Sequence, residues 1–165
     1  MSFVRIKKIK DKEYAYLIKN RWLKTKKQPK QKVIGYLGKV LRPTINDEMD
    51  KISFFDYKSI HEPDDYAKTN NKENILKDLI EFEIAKHKID IEFDFDKPSL
   101  KIKDKNVVLK INDGFMCSHT VKLLKDIDGK GDEDEVGLEL AKGFVNAGIA
   151  IPQEIFIEYF SKVFK

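Results

Sequence analysis

Near-alternation of apolar and polar side chains marks the start of the chain, and a three-to-four-residue apolar spacing marks several later segments. Residues 3–10 alternate imperfectly and read as a strand. Lys10-Asp11-Lys12-Glu13 can turn the chain, and the aromatic-rich segment 13–22, "EYAYLIKNRW", reads as a second strand. Segment 23–30, "LKTKKQPK", reads as a polar loop in which Pro29 excludes a regular interior strand. A third strand follows at 31–37, "QKVIGYL", with Gly35 and Gly38 marking a bend or bulge near its end. The simplest topology is a three-stranded antiparallel meander. Counting by twos places Val4, Ile6, Ala15, Leu17, Val33 and Leu37 on an inward face. Arg5, Lys7, Tyr14, Tyr16, Trp22, Lys32 and Tyr36 fall on the other face, whereas Phe3, Ile9, Ile18 and Ile34 fit neither cleanly.

The connection over 43–71 carries turn formers and prolines and reads as irregular, pinned to the core by Phe54, Phe55 and Tyr57. A helix is expected over 72–87, capped by Asn70 with Glu73 and buried along Ile75, Leu76, Leu79, Ile80 and Ile84. The period then switches: Ile89, Ile91, Phe93 and Phe95 alternate with acids, which predicts a half-buried strand over 89–95. "SLKIKDKNVVLKIN" follows as a hairpin turning near Asp104-Lys105-Asn106. Three helices close the chain: 115–125, 134–147 ending at the left-handed cap Gly148, and 152–164 with Pro152 in its first turn. The stripe Ile155, Phe156, Tyr159, Phe160, Val163 and Phe164 on the last helix reads as core. The expected fold class is α+β. Its parts are a basic three-stranded antiparallel meander (1–42), an irregular connection (43–71) and a mixed body (72–165). The body holds a second small antiparallel sheet, with about four helices of which three come last.

Composition sharpens this picture mainly through charge. The 165 residues, 41% apolar and 36% charged, suffice for one domain or two small lobes, and they argue against global disorder. Cys117 is the sole cysteine, so no intramolecular disulfide forms. There is no apolar leader and no stretch of ~20 apolar residues, so a reducing cytoplasm without membrane attachment is the expected location. The net charge of +4 conceals a division. Residues 1–42 hold fourteen Lys/Arg against Asp11 and Glu13, a balance of +12, and the remainder balances at −8. A basic part on an acidic body implies a polyanionic partner.

Lys and Arg neutralise phosphates and release condensed counterions, while Tyr and Trp rings offer faces to unpaired bases. The electrostatic candidates are Arg5, Lys7, Arg21, Lys24, Lys26, Lys27, Lys30 and Lys32; the stacking candidates are Tyr16 and Trp22. The competing reading buries Tyr14, Tyr16 and Trp22 and leaves the lysines to keep a sheet edge soluble. Tyr14, Tyr16 and Leu17, then Lys30-Gln31-Lys32-Val33, then Tyr36-Leu37-Gly38, resemble the opening segment of insertion-sequence transposases, and of archaeal proteins with a similar start. The resemblance covers about residues 3–40 and implies a small β-rich element with nucleic-acid affinity, DNA or RNA. The chain ends too early for the long catalytic domain of those transposases, so their activity is not implied.

The remaining motifs point away from catalysis. "DIDGKGDEDEVG" at 126–137 half-matches a calcium loop through Asp126, Asp128, Gly131, Asp132 and Asp134. However, Lys130 stands where a ligand is required, and Gly137 where the bidentate Glu belongs, so a capping loop fits better. Cys117 and His119, two apart near a helix start, point away from each other on a helix. Glu154 and Glu158 would bring acids to phosphate if the last helix were a recognition helix. The expectation is a non-enzymatic nucleic-acid-binding protein with no cofactor and no metal. The alternative is an assembly subunit whose basic sheet docks an acidic protein.

Overall fold

In the computed structural model, which describes residues 2–165, a tight turn at Lys10 and Asp11 closes the first hairpin. Both residues take positive φ, 48° and 65°, the geometry that matches a two-residue turn to the twist of its strands. Strand β1 (Ser2–Ile9) pairs antiparallel with β2 (Lys12–Leu23), which pairs antiparallel with β3 (Gln28–Leu41). The meander is therefore present, and the fold is α+β. Its third strand is longer than expected: it starts at Gln28 and takes in Pro29. Proline is tolerated there because that part of β3 has only β2 beside it.

Two register shifts interrupt the β2–β3 ladder, opposite Ala15/Tyr16 and opposite Leu17/Ile18. Each inserts a residue into β3 and so reverses the alternation beyond it. Gly38 sits beside the first shift at φ 143°, and a side chain there would meet the Asn106 carbonyl oxygen at 2.5 Å. This close approach lets β3 run on to pair parallel with β6 (Lys105–Ile111) through Lys39↔Val107, Val40↔Val108 and Leu41↔Leu109.

The second antiparallel set is built on β6. Strand β4 (Glu92–Asp94) pairs with β5 (Ser99–Ile102), β5 with β6, and β6 with β7 (Gly114–Met116). The parallel β3–β6 pair joins both antiparallel sets into one seven-stranded sheet. The β5–β6 turn falls at Lys103-Asp104, one residue before the expected position, with φ of 50° and 64°. The strand expected over 89–95 shortens to β4, although Phe95 is buried and Ile89, Ile91 and Phe93 still pack on the core.

The connection after β3, expected to be irregular, carries three short helices: α1 (Asp47–Asp50), α2 (Phe54–Tyr57) and α3 (Pro63–Thr69). Asn46 and Ser53 cap the first two, and Pro63 opens the third. Helix α4 (Lys72–Ala85) is capped by Asn71, one residue beyond the expected Asn70, with the Asn74 N–H donating to its side chain at 2.8 Å. Helices α6 (Glu133–Asn146) and α7 (Gln153–Val163) follow near their expected bounds, whereas α5 (Ser118–Lys125) starts three residues after the expected 115 because Gly114–Met116 forms β7. Helix α6 stops at Gly148, where φ is 72° and a side chain would meet the Ile111 carbonyl oxygen at 2.7 Å.

The main core lies between the helices and β5–β7; Leu79, Ile80, Leu109, Leu140, Phe144, Ile155 and Tyr159 are its interior. The α7 stripe is core: Ile155, Tyr159 and Val163 are buried, with Phe156, Phe160 and Phe164 packed against them. A smaller core of Ala15, Leu37, Val40, Val108 and Cys117 backs the meander, closed by Val4, Ile6, Leu17 and Phe115.

Candidate nucleic-acid interface

Strand β1 reaches only to the Ser2↔Lys19 pair. Beyond it β2 and β3 continue alone through Asn20↔Gln31, Arg21↔Lys30, Trp22↔Pro29 and Leu23↔Gln28 to a turn at Lys24–Lys27. This two-stranded arm extends about 13 Å, four residues at the usual strand rise, before its turn. From Tyr14 to Asn46 the chain contains no Asp or Glu. Among the described residues the only ion pair involving the meander is at its base. There the Arg42 Nε and Nη2 groups donate to Glu13 at 3.1 and 3.0 Å. The hydrogen bond and charge of Arg42 hold the Glu13 carboxyl below the usual carboxylate range. None of Arg5, Lys7, Arg21, Lys24, Lys26, Lys27, Lys30 and Lys32 pairs with a carboxylate, and all eight are exposed.

The structure divides these candidates between two faces and a tip. On one face, β1 and β2 align Arg5 with Tyr16 and Lys7 with Tyr14, and β3 brings Tyr36 opposite Tyr16. The three tyrosines pack on one another, with ring centroids 5.3 Å apart for Tyr16–Tyr36 and 6.4 Å for Tyr14–Tyr36. Lys7 Nζ stands over the Tyr16 ring at 4.9 Å from its centroid. Arg5 donates to the Gln31 side chain, a bond that spans β2 over the buried Ile18. Trp22 lies on the same face towards the tip, 61% exposed and without an aromatic neighbour.

The opposite face carries Lys19, Arg21, Lys30 and Lys32 as two rungs, Lys19↔Lys32 where the arm leaves the three-stranded sheet and Arg21↔Lys30 on the arm itself. Lys32 was expected beside Tyr36 and Val33 on the inward face; the inserted β3 residues exchange them. Val33 pairs with Ile18 on the tyrosine face and is 48% exposed. Lys19, which the pattern of apolar and polar positions did not single out, belongs to the cationic face. Its signal was its place opposite Lys32, which only the register reveals. Lys24, Lys26 and Lys27 form the tip. Shallow crevices between the cationic side chains are lined by Lys19, Arg21, Lys32 and Ile34, and by Arg21, Leu23 and Lys30.

Elsewhere the candidate chemistry resolves into structure. Asp132 caps α6, accepting from the Glu135 N–H at 2.9 Å, and the Lys130 ammonium pairs with Asp128 at 3.1 Å. Cys117 is fully buried in the smaller core, and its backbone N–H donates to Thr120 Oγ1 at 3.1 Å. Among the described residues no group of three His, Cys, Asp or Glu is placed to hold a metal ion, and no helix is long and apolar enough to cross a membrane. Comparison with protein-family models, curated proteins and solved structures finds no match for this chain.

Proposed function

We propose that this protein is a non-enzymatic, cytoplasmic nucleic-acid-binding protein that grips phosphates with the β2–β3 arm. One observation carries this reading: an acid-free stretch folds into a projecting ribbon whose cations are exposed and unmatched by any carboxylate of the protein. Gathering like charges on a narrow ribbon costs folding free energy, and a chain of phosphates relieves it while releasing counterions. The transposase-like opening segment agrees with this reading.

Anisotropy titration with DNA and RNA should show affinity falling steeply with added salt. Substituting Lys26→Glu, Lys27→Glu and Lys30→Glu together should lower affinity by roughly two orders of magnitude or more at moderate salt, since each reversal replaces a phosphate contact with repulsion. The melting temperature should not fall, since Lys30→Glu replaces a like-charged rung with an oppositely charged one. Wild-type affinity in this triple variant would remove the arm from the interface.

A second reading, an assembly subunit with a protein partner, draws on Leu123, Leu138, Val145 and Ile157, each more than half exposed on α5, α6 and α7. Purification with and without nuclease separates the two. Nucleic acid removed by nuclease favours the first reading, and a stoichiometric protein that survives it favours the second.

A further inference from the structure

Resting on the nucleic-acid reading, we propose that the ligand is duplex DNA. The arm enters its major groove with the aromatic-free face, Lys19, Arg21, Lys30 and Lys32, turned to the DNA. Two-stranded ribbons suit this role: a B-form major groove, about 12 Å wide, admits a ribbon of that width. Lys and Arg side chains on such a ribbon reach sideways to the phosphates of both walls. The tip lysines, Lys24, Lys26 and Lys27, extend the same contact along the groove.

The distribution of aromatic rings argues against an unpaired strand. Single-strand binders set exposed rings beside their cations, so that bases stack while the backbone is neutralised. Here the tyrosine face carries Arg5 and Lys7, engaged by Gln31 and the Tyr16 ring, and the four-cation face on the other side of β2 and β3 carries no ring. Tyr14, Tyr16 and Tyr36 use their surfaces on each other, and Lys7 covers Tyr16. Trp22 and Tyr36 keep exposed rings, 61% and 55%, and both lie on the face away from the rungs. The rungs themselves place like charges directly opposite each other, an arrangement that destabilises an isolated ribbon and is offset when an anion lies across both members. A double-stranded RNA offers no equivalent, because its A-form major groove is too deep and narrow for side chains to read.

The experiment is an anisotropy comparison of full-length protein on a short DNA duplex, one of its single strands, and the same sequence as duplex RNA, at one salt concentration. Duplex DNA should bind roughly tenfold or more tightly than the other two. The paired substitution Lys19→Gln with Lys32→Gln should cost roughly tenfold on duplex DNA and make the log–log salt dependence shallower by about 2. Trp22→Ala and Tyr36→Ala should each stay within about twofold, because neither ring takes a base. Thermal melts monitored by circular dichroism confirm that the compared variants are folded. Equal or tighter binding of the single strand or of duplex RNA overturns the groove proposal while leaving the nucleic-acid reading intact. So does a larger loss from the aromatic variants than from the rung pair. Failure to bind any of the three sinks the nucleic-acid reading itself.

Discussion

The helical body and the β2–β3 arm handle charge in opposite ways. In the body the fully buried Glu83 is answered on every side. The Ala150 N–H donates to its Oε1 at 3.0 Å, Asn112 Nδ2 to its Oε2 at 3.3 Å, and the Lys86 ammonium stands 3.4 Å from Oε2. Asn112 also donates to the Gly148 carbonyl at 2.7 Å, which ties the end of α6 to the β6–β7 turn. Among the described residues no buried side-chain polar atom lacks a partner. In the arm, cations stand opposite cations with no acid between them. Lysines are plentiful in both regions, but acids accompany them only in the body. What separates them is whether the protein supplies the counter-charge. The body is electrostatically closed and the arm is open to an external partner.

If that contrast holds, the largest stability losses come from the body and leave the arm's chemistry untouched. Phe144 is buried between the rings of Phe156 and Tyr159, at centroid distances of 6.2 and 5.3 Å. Phe144→Ala should destabilise by about 3–5 kcal/mol in urea unfolding. Nucleic-acid affinity below the melting transition should stay at the wild-type level. A matching loss of stability in the tip variant would mean that the arm's lysines belong to the packing after all.

A cation removed from each region should change stability in opposite directions. Lys86→Met deprives a buried carboxylate of its charged partner and should cost about 1.5–3 kcal/mol. Lys19→Gln with Lys32→Gln removes a like-charged rung and should stabilise by about 0.2–1 kcal/mol. The second value should shrink as salt screens the exposed charges. Destabilisation by the rung pair at low salt would break the contrast, because it would mean that some group of the protein already answers those cations.

These regions were unequally legible in the sequence. Strong periodicity located α4, α6 and α7, and the turn signal at Lys10-Asp11 located the first hairpin. Each of these depends on residues near in sequence. The faces of β3 depended on counting by twos, and counting fails where a strand gains a residue. Gly35 and Gly38 announced a bulge, but they did not say that there were two shifts or where each fell. Lys32 and Val33 were accordingly exchanged. Helices α1 and α2 have only four residues each, too short for any apolar period to show, so the connection read as irregular. At the candidate interface, the basic stretch itself was plain to read. Its division into a tyrosine face, a cationic face and a tip required the register, and so did the place of Lys19.

The seam between the two regions supplies the subtlest contrast. A cleft lined by Ser2, Phe3, Asp113, His119, Leu123 and Asn146 lies where the start of β1 meets the β6–β7 turn, α5 and α6. Burial pushes the half-buried His119 imidazole below its ordinary pKa of 6.5. The unfolded chain therefore takes up this proton at a higher pH than the folded one, and stability rises with pH between the two values. On acidification the contribution of His119 is lost as pH falls from 6.5 towards the lower folded value, and below that value no further loss occurs. His119→Phe removes the titration, so the melting temperature of the wild type should drop more than that of the variant across this interval. His119 lies at the seam and not among the arm's cations, so the salt dependence of nucleic-acid binding should not follow the transition. Parallel melting curves for wild type and His119→Phe would show that the seam does not sense the proton. A salt dependence that shifted with the transition would show that body and arm are electrostatically coupled.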